Sequence, residues 1–183
     1  MTRHFCGLLT LVLLTGCSNA RDQAVVSAVL DDFTSRSDVS LPSAGITLIA
    51  SETEPWSAEK YRYFNFDPQR DTCGVSSQVL EQHFARNLRS ESAGWLVQSH
   101  DRWRLATLAE LNSLDDSIAT LLTYSAEVRT SASISWPTYS ADGNSALVLV
   151  HFRWSMHDAV AHYVVEGSGL RWKVGCSQFR FYV

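Results

Sequence analysis

The chain has 183 residues, a formal net charge of −4 and 45% hydrophobic residues. That much apolar content argues against wholesale disorder, and the length suits one domain with a proper core. A mildly acidic balance gives no electrostatic case for nucleic acid, which wants a basic surface.

The chain opens with Met1–Cys17, MTRHFCGLLTLVLLTGC. It carries one cation, Arg3, then the apolar run Leu8–Leu14, and closes on Leu14-Thr15-Gly16-Cys17. A charged start, a short apolar stretch and small residues at the cut mark an export signal. The run is shorter than the roughly 20 residues that span a bilayer, and the turn-formers Thr15–Asn19 argue against its continuing as a buried helix. The segment resembles the lipobox of bacterial lipoproteins, in which the Cys is lipidated and becomes the first mature residue. The resemblance implies a signal peptide over residues 1–16, an acylated Cys17 holding the chain to a lipid bilayer, and an extracytoplasmic location. Ser18, where such families place an Asp for inner-membrane retention, leans the expectation towards the outer membrane, facing the periplasm.

Processing leaves 167 of the 183 residues, with a net charge of −5 once Arg3 is gone. Of the four cysteines, Cys6 leaves with the signal and Cys17 carries lipid. Cys73 and Cys176 remain, in a compartment that permits disulfides, and a bridge between them is the expectation. Residues 17–21 read as the lipidated Cys and a short tether, and residues 22–183 as a single domain.

Within that domain, Val25, Val26, Val29, Leu30 and Phe33 recur at helical spacing over Asp22–Ser35. Ser37–Gly45 reads as a loop and Ile46–Ala50 as a strand. Ser51–Arg70 is rich in aromatics and has no clear period. Ser76–Asn87 reads as a second helix, with the stripe Val79, Leu80, His83, Phe84 and Leu88, capped by Ser76 or Ser77. Trp95–Val97 and Trp103–Leu108 are short strand candidates, and Leu111–Tyr124 is ambiguous.

The last third alternates. Val148, Val150, Phe152 and Trp154 share one face of Ser145–Met156, and Leu147, Leu149, His151 and Arg153 the other. Turns at Ala141–Asn144, His157-Asp158 and Gly167–Gly169 make an antiparallel meander with Val160–Glu166 and Leu170–Val183. In the last strand Trp172, Val174 and Cys176 have one parity, and Phe179, Phe181 and Val183 the other. One extra residue near Gly175–Gln178, a β-bulge, puts both sets on the core side. By the parity of its own segment, Cys176 is expected on the face of Trp172 and Val174.

Helices early and a meander late give an α+β class, with the N-terminal helices packed on one face of a curved antiparallel sheet. A helical start followed by long hairpins resembles the nuclear-transport-factor-2-like folds, a likeness of fold that implies no particular function.

Three features bear on chemistry. Cys73 stands just ahead of a helix, where a thiol's pKa falls. This resembles cell-wall cysteine peptidases and, with a strand His (His151 or His162), makes a cell-envelope hydrolase the alternative function; the glycine-flanked His motif of such enzymes is missing. His151, His157 and His162 invite a metal reading. With the turn at His157-Asp158, however, positions summing to 315 face each other, His162 opposes Arg153, and both strand His take a solvent-side role. Trp56, Tyr61 and Tyr63 belong to the best candidate binding surface, since aromatic faces stack on sugars or peptide side chains. The competing reading is a loop pinned to the core by its rings. His83 reads as a core-edge residue and His100 as part of a turn. The adjacent pairs Asp31-Asp32 and Asp115-Asp116 point about 100° apart on a helix and make no carboxylate site. No calcium loop, phosphate loop or G-x-S-x-G elbow is present. The leading expectation is a non-enzymatic envelope lipoprotein without catalytic residues, cofactor or metal, whose partner is an envelope protein, a cell-wall component or a small ligand.

Overall fold

The structure, a computed structural model, describes residues 6–36, 45–64, 71–107, 109–113, 128–154 and 157–182. Most of Ser37–Gly45, the end of Ser51–Arg70, most of Leu111–Tyr124, Met156 and Val183 lie outside these.

The fold is α+β. A seven-stranded mixed sheet runs in the order β2-β1-β3-β5-β6-β7, with β4 pairing β5 from the side. The strands are β1 (Ile46–Ala50), β2 (Trp103–Ala106), β3 (Val128–Ile134), β4 (Thr138–Tyr139), β5 (Ser145–Trp154), β6 (His157–Ser168) and β7 (Arg171–Tyr182). The helices include α1 (Cys6–Ser35), α2 (Ala58–Tyr63) and α3 (Ser77–Arg86), and residues 109–113 are helical as well. The C-terminal meander β5–β6–β7 is antiparallel, as read from its alternation.

The other half of the sheet departs from the antiparallel expectation. β1 runs parallel to both β2 and β3. Parallel neighbours need a long crossover, commonly helical, and Ser51–Arg102 supplies it with α2 and α3. That crossover covers the second face of the sheet. α1 packs Val25, Val26, Val29, Leu30 and Phe33 against Val148, Val150, Phe152, Ala161 and Tyr163 on the first face. Trp56, Tyr61, Phe64 and Leu80 of the crossover pack against Leu147, Leu149 and Val160 on the second. Helices therefore flank both faces. The unbroken apolar run Ala146–Val150, buried throughout, is the pattern of a strand covered on both sides.

The short elements are fixed locally. Ser57 caps α2 by accepting from Lys60 N at 3.1 Å, and Ser76 caps α3 by accepting from Val79 N at 3.3 Å. The α3 stripe buries Leu80 and His83, but Leu88 falls past the helix end and is exposed. Trp95–Val97 is a turn rather than a strand.

α1 continues through Thr15–Arg21, so the expected break and tether are not seen. Arg21 belongs to the folded body: its guanidinium lies 3.7 Å from the Tyr139 ring centroid and donates to Gly143 O. Tyr139 Oη in turn donates to Asp22. Burial raises the Asp22 pKa against the opposing effects of that hydrogen bond and of Arg86 and Arg21. No helix among the described residues is long and apolar enough to cross a membrane.

In the meander, Trp154 pairs with His157, so the turn precedes His157, and His157 and Asp158 are strand residues. Partners sum to 311 instead of 315: His162 faces Leu149, His151 faces Val160, and Arg153 faces Asp158. The slip of four is even, so the described side chains of β5 and β6 keep their expected faces. The bulge occurs as expected. Val165 pairs Val174 while Val164 pairs Cys176, which leaves Gly175 as the extra residue. Trp172, Val174 and Phe179 accordingly all pack on the α1 face. Cys176, however, lies beyond the bulge opposite Val164, on the second face; the parity expected for it is corrected by the bulge. At the far end, a Cβ on Gly167 would stand 2.0 Å from Arg171 O, so the β6–β7 hairpin closes only around glycine there.

Phe152 is fully buried, with ring centroids 4.8 Å from Phe33 and 5.9 Å from Phe179. Phe152→Ala is expected to cost roughly 3–5 kcal/mol in urea unfolding; a loss below 1 kcal/mol would contradict this packing.

Candidate functional site

The polar chemistry of the domain gathers on the second face, beneath α2 and α3. His151 and His162, expected at the solvent side, are 5% and 0% exposed, because the crossover roofs that face. They do not converge on one point.

His151 donates from Nδ1 to Glu54, 2.8 Å from Oε1 and 3.0 Å from Oε2. The same carboxylate accepts from Ser133 Oγ at 2.8 Å and pairs with Lys60 Nζ. One residue thus ties α2, β3 and β5 together. Burial alone would push the Glu54 pKa up; the hydrogen bond and charge of His151, with those of Lys60, outweigh it and hold the group at about 2.

His162 reaches Tyr61 Oη from Nδ1 at 3.1 Å and faces Asp71 Oδ1 from Nε2 at 3.4 Å. Burial lowers its pKa and the nearby Arg180 adds to that, while Asp71 opposes both. Burial, then Asp71, pushes the Tyr61 hydroxyl up. His83 is fully buried rather than at the core edge. Its Nδ1 lies 3.1 Å from Thr138 Oγ1 and its Nε2 3.4 Å from Asn87 Nδ2. Burial, with the neighbouring His162, lowers its pKa to about 3. His100 is exposed and pairs with Asp101, in keeping with a turn.

Cys73 and Cys176 are joined by a disulfide, with Cα atoms 5.5 Å apart and a sequence separation of 103. The Cys73 sulfur is therefore no thiolate in this state. The preceding loop is built by Asp71, whose carboxylate accepts from the backbone N–H of Cys73 at 3.0 Å and from that of Val75. The bridge ties this loop, at the mouth of α3, to β7.

The aromatic candidates divide. Trp56 and Tyr61 are 1% and 2% exposed and belong to the second core, so neither presents a stacking face; Tyr63 alone is exposed, at 74%. The rings pin the segment, because Trp56 and Phe64 pack at 5.9 Å and Tyr61 and Phe84 at 5.5 Å. Of the acidic pairs, Asp31 binds Arg102 and Asp32 binds Arg36 at 3.2 Å; Asp115-Asp116 lies outside the described residues.

A groove of about 460 Å³ lies on the opposite side, between α1, the segment Leu96–Trp103 and the tip of the β6–β7 hairpin. Apolar Leu30, Val97 and Trp172 and polar Gln23, Asp31 and Gln98 are among the residues that line it. The sequence offered no signal for it, since it forms where three separate segments meet. No protein-family model, no curated protein and no solved structure matches the chain.

Two outcomes are expected. Reduction of the bridge releases a loop of roughly 100 residues, for which the chain-entropy model gives about 4.7 kcal/mol. In metal-free buffer the melting temperature should fall by roughly 10–20 °C, and an unchanged melt would exclude a stabilising bridge. The second concerns acid. His83 binds a proton when unfolded below its ordinary value of 6.5 but resists it in the fold down to about 3. Its contribution is whole above pH 6.5 and is lost as pH falls towards 3, by about 1.4 kcal/mol per pH unit. Glu54 adds a second loss from its ordinary 4.5 down to about 2. Urea unfolding at pH 7 and pH 4.5 should show a shallower pH dependence in His83→Gln than in the wild type. Equal slopes would refute a buried neutral His83.

Proposed function

We propose that the chain is a membrane-anchored bacterial envelope lipoprotein. Residues 1–16 are removed, Cys17 is acylated, and the domain that follows serves a non-enzymatic binding or structural role outside the cytoplasm. The single observation that carries this reading is the sequence Leu14-Thr15-Gly16-Cys17 closing a charged-then-apolar start. The Cys73–Cys176 bridge supports it, because structural disulfides belong to oxidising compartments. Two or more acyl chains are enough for stable attachment.

The docking of Arg21 on Tyr139 sharpens the picture. It leaves at most Ser18–Ala20 between the anchor and the folded body, so the end that carries Arg21, Gly143 and Tyr139 sits against the bilayer. The groove beside α1 begins at Ala20 and includes Leu170, which is 65% exposed. A binding role would use that groove close to the membrane surface. An outer-membrane address facing the periplasm follows from Ser18 by analogy with the family.

Cys17→Ala should leave an unprocessed precursor or a soluble product. Detergent-phase partitioning that is unchanged by the substitution would remove the lipoprotein reading. The competing hydrolase needs a free Cys73. Alkylation of the native protein should label neither Cys73 nor Cys176, and labelling of Cys73 would favour the enzyme.

A further inference from the structure

We propose that the Cys73–Cys176 disulfide is the closed form of a redox-gated zinc site, in which the two freed sulfurs bind one Zn²⁺ together with His162 and Asp71. The inference does not depend on how the chain is anchored.

Three of the four donors are already gathered. Cys73 Sγ, one ring nitrogen of His162 and one carboxylate oxygen of Asp71 lie within 4.8 Å of one another. Cys176 Sγ is bonded to Cys73 Sγ, one bond from this group, and would complete it by turning about its own side-chain torsion once the bridge opens. Two sulfurs, one imidazole and one carboxylate make a donor set suited to tetrahedral zinc. The spacing fits as well. Two ligands at about 2.0–2.1 Å from a tetrahedral ion are roughly 3.3–3.4 Å apart, and His162 Nε2 is 3.4 Å from Asp71 Oδ1.

The scaffold holds the ligands from two directions. His162 and Cys176 come from paired strands, one step apart on the second face, since His162 pairs Gln178 and Val164 pairs Cys176. Asp71 and Cys73 come from the loop that the Asp71 carboxylate itself braces ahead of the Ser76 cap. Tyr61 Oη, 3.1 Å from Nδ1, can accept from that nitrogen and leave the Nε2 lone pair for the metal, the usual arrangement behind a ligating imidazole. A catalytic Cys–His–Asp relay would put sulfur and carboxylate on opposite ring nitrogens. Here Asp71 faces Nε2 and Tyr61 takes Nδ1, so the group converges on a point instead of forming a chain. Arg180, close enough to act on both His162 and Tyr61, offsets the negative charge that two thiolates and a carboxylate bring.

A cavity of about 180 Å³, lined by Cys73, Gly74, Val75 and Ser76 among others, brings solvent to the bridge. A dithiol reductant would supply the two electrons and two protons. Its thiolate attacks one sulfur, its second thiol resolves the mixed disulfide, and it departs oxidised, leaving two protein thiols. Zn²⁺ then displaces the two thiol protons into water.

The test uses the full chain in detergent, with Co²⁺ as the spectroscopic probe. Protein reduced by a dithiol and desalted without oxygen should bind one Co²⁺, with thiolate-to-cobalt charge-transfer absorption and tetrahedral d–d bands, both removed by Zn²⁺. Oxidised protein should give neither. His162→Gln and the less buried Asp71→Asn should each weaken binding at least tenfold, and Tyr61→Phe about tenfold, in variants whose oxidised forms keep the wild-type circular dichroism. Four results would each overturn the site: equal cobalt binding by oxidised and reduced protein; a folded reduced protein with no thiolate band; undiminished affinity in both ligand variants; or a reduced protein that unfolds and does not regain its fold with Zn²⁺.

Discussion

Burial of both faces of β5 is the constraint from which the rest of the structure follows. Val148, Val150 and Phe152 point towards α1, Leu147 and Leu149 point the other way, and all five are at most 1% exposed. A strand with two apolar faces at the middle of a sheet cannot be stable under one layer of helix. The long crossover from β1 to β2 provides the second layer. Its aromatics act as fasteners: Trp56, Tyr61 and Phe64 complete an apolar cluster that the helical stripe of α3 would leave too thin, with Leu80 its one buried aliphatic.

The second layer also sets the electrostatics. Roofing β5 and β6 takes His151 and His162 out of water, and a buried imidazole needs a partner for each nitrogen that would otherwise face apolar atoms. Glu54 and Asp71, both from the crossover, meet that need from the roof side. The two carboxylates then differ in what they organise. Glu54 is saturated by His151, Ser133 and Lys60 and works as a structural knot. Asp71 spends its oxygens on backbone N–H groups of the Cys73 loop while still facing His162, which places a charged group beside the disulfide. An ion pair of the first kind contributes little once desolvation is counted, yet removal of one partner costs several kcal/mol, since it strands the other.

The legible parts of the sequence were those with a strict period. The alternation of Ser145–Trp154, the Ser76 cap, the helical stripe of Val25–Phe33 and the extra residue at Gly175 all lie where expected. In the parallel half of the sheet β1 and β2 lie where strands were read, but their parallel direction and the strand β3 were not legible. β3 reads Val-Arg-Thr-Ser-Ala-Ser-Ile, with too little apolar alternation to announce a strand, and β4 is two residues long. The hairpin register was off by four because His157-Asp158 has turn composition yet pairs within β6. For the candidate site, each miss has one cause: the α2–α3 roof. A His on the polar-looking parity of β5 reads as solvated unless the helices above it are known, and neither Glu54 nor Asp71 is near its partner in sequence. The bridge was legible by elimination among the cysteines, although the parity argument for Cys176 was not the operative one.

That last difference shows what the bulge does. Without the extra residue, β7 would keep one parity throughout. Either Trp172 and Val174 or Phe179 would then face away from α1, and the α1 core would lose part of its edge. With it, both sets stay on α1, and the residue immediately past the bulge changes face. That residue is Cys176. A single insertion at Gly175 thus serves packing on one face and cross-linking on the other. Glu166 lies over the same glycine, since a Cβ there would stand 2.6 Å from its carboxylate carbon. Any side chain at 175 would have to displace Glu166 or straighten the bulge. Straightening it would turn the Cys176 sulfur away from the loop that carries Cys73. The disulfide, and with it the grouping of Cys73, His162 and Asp71, therefore depends on a backbone irregularity rather than on the strand's regular pattern.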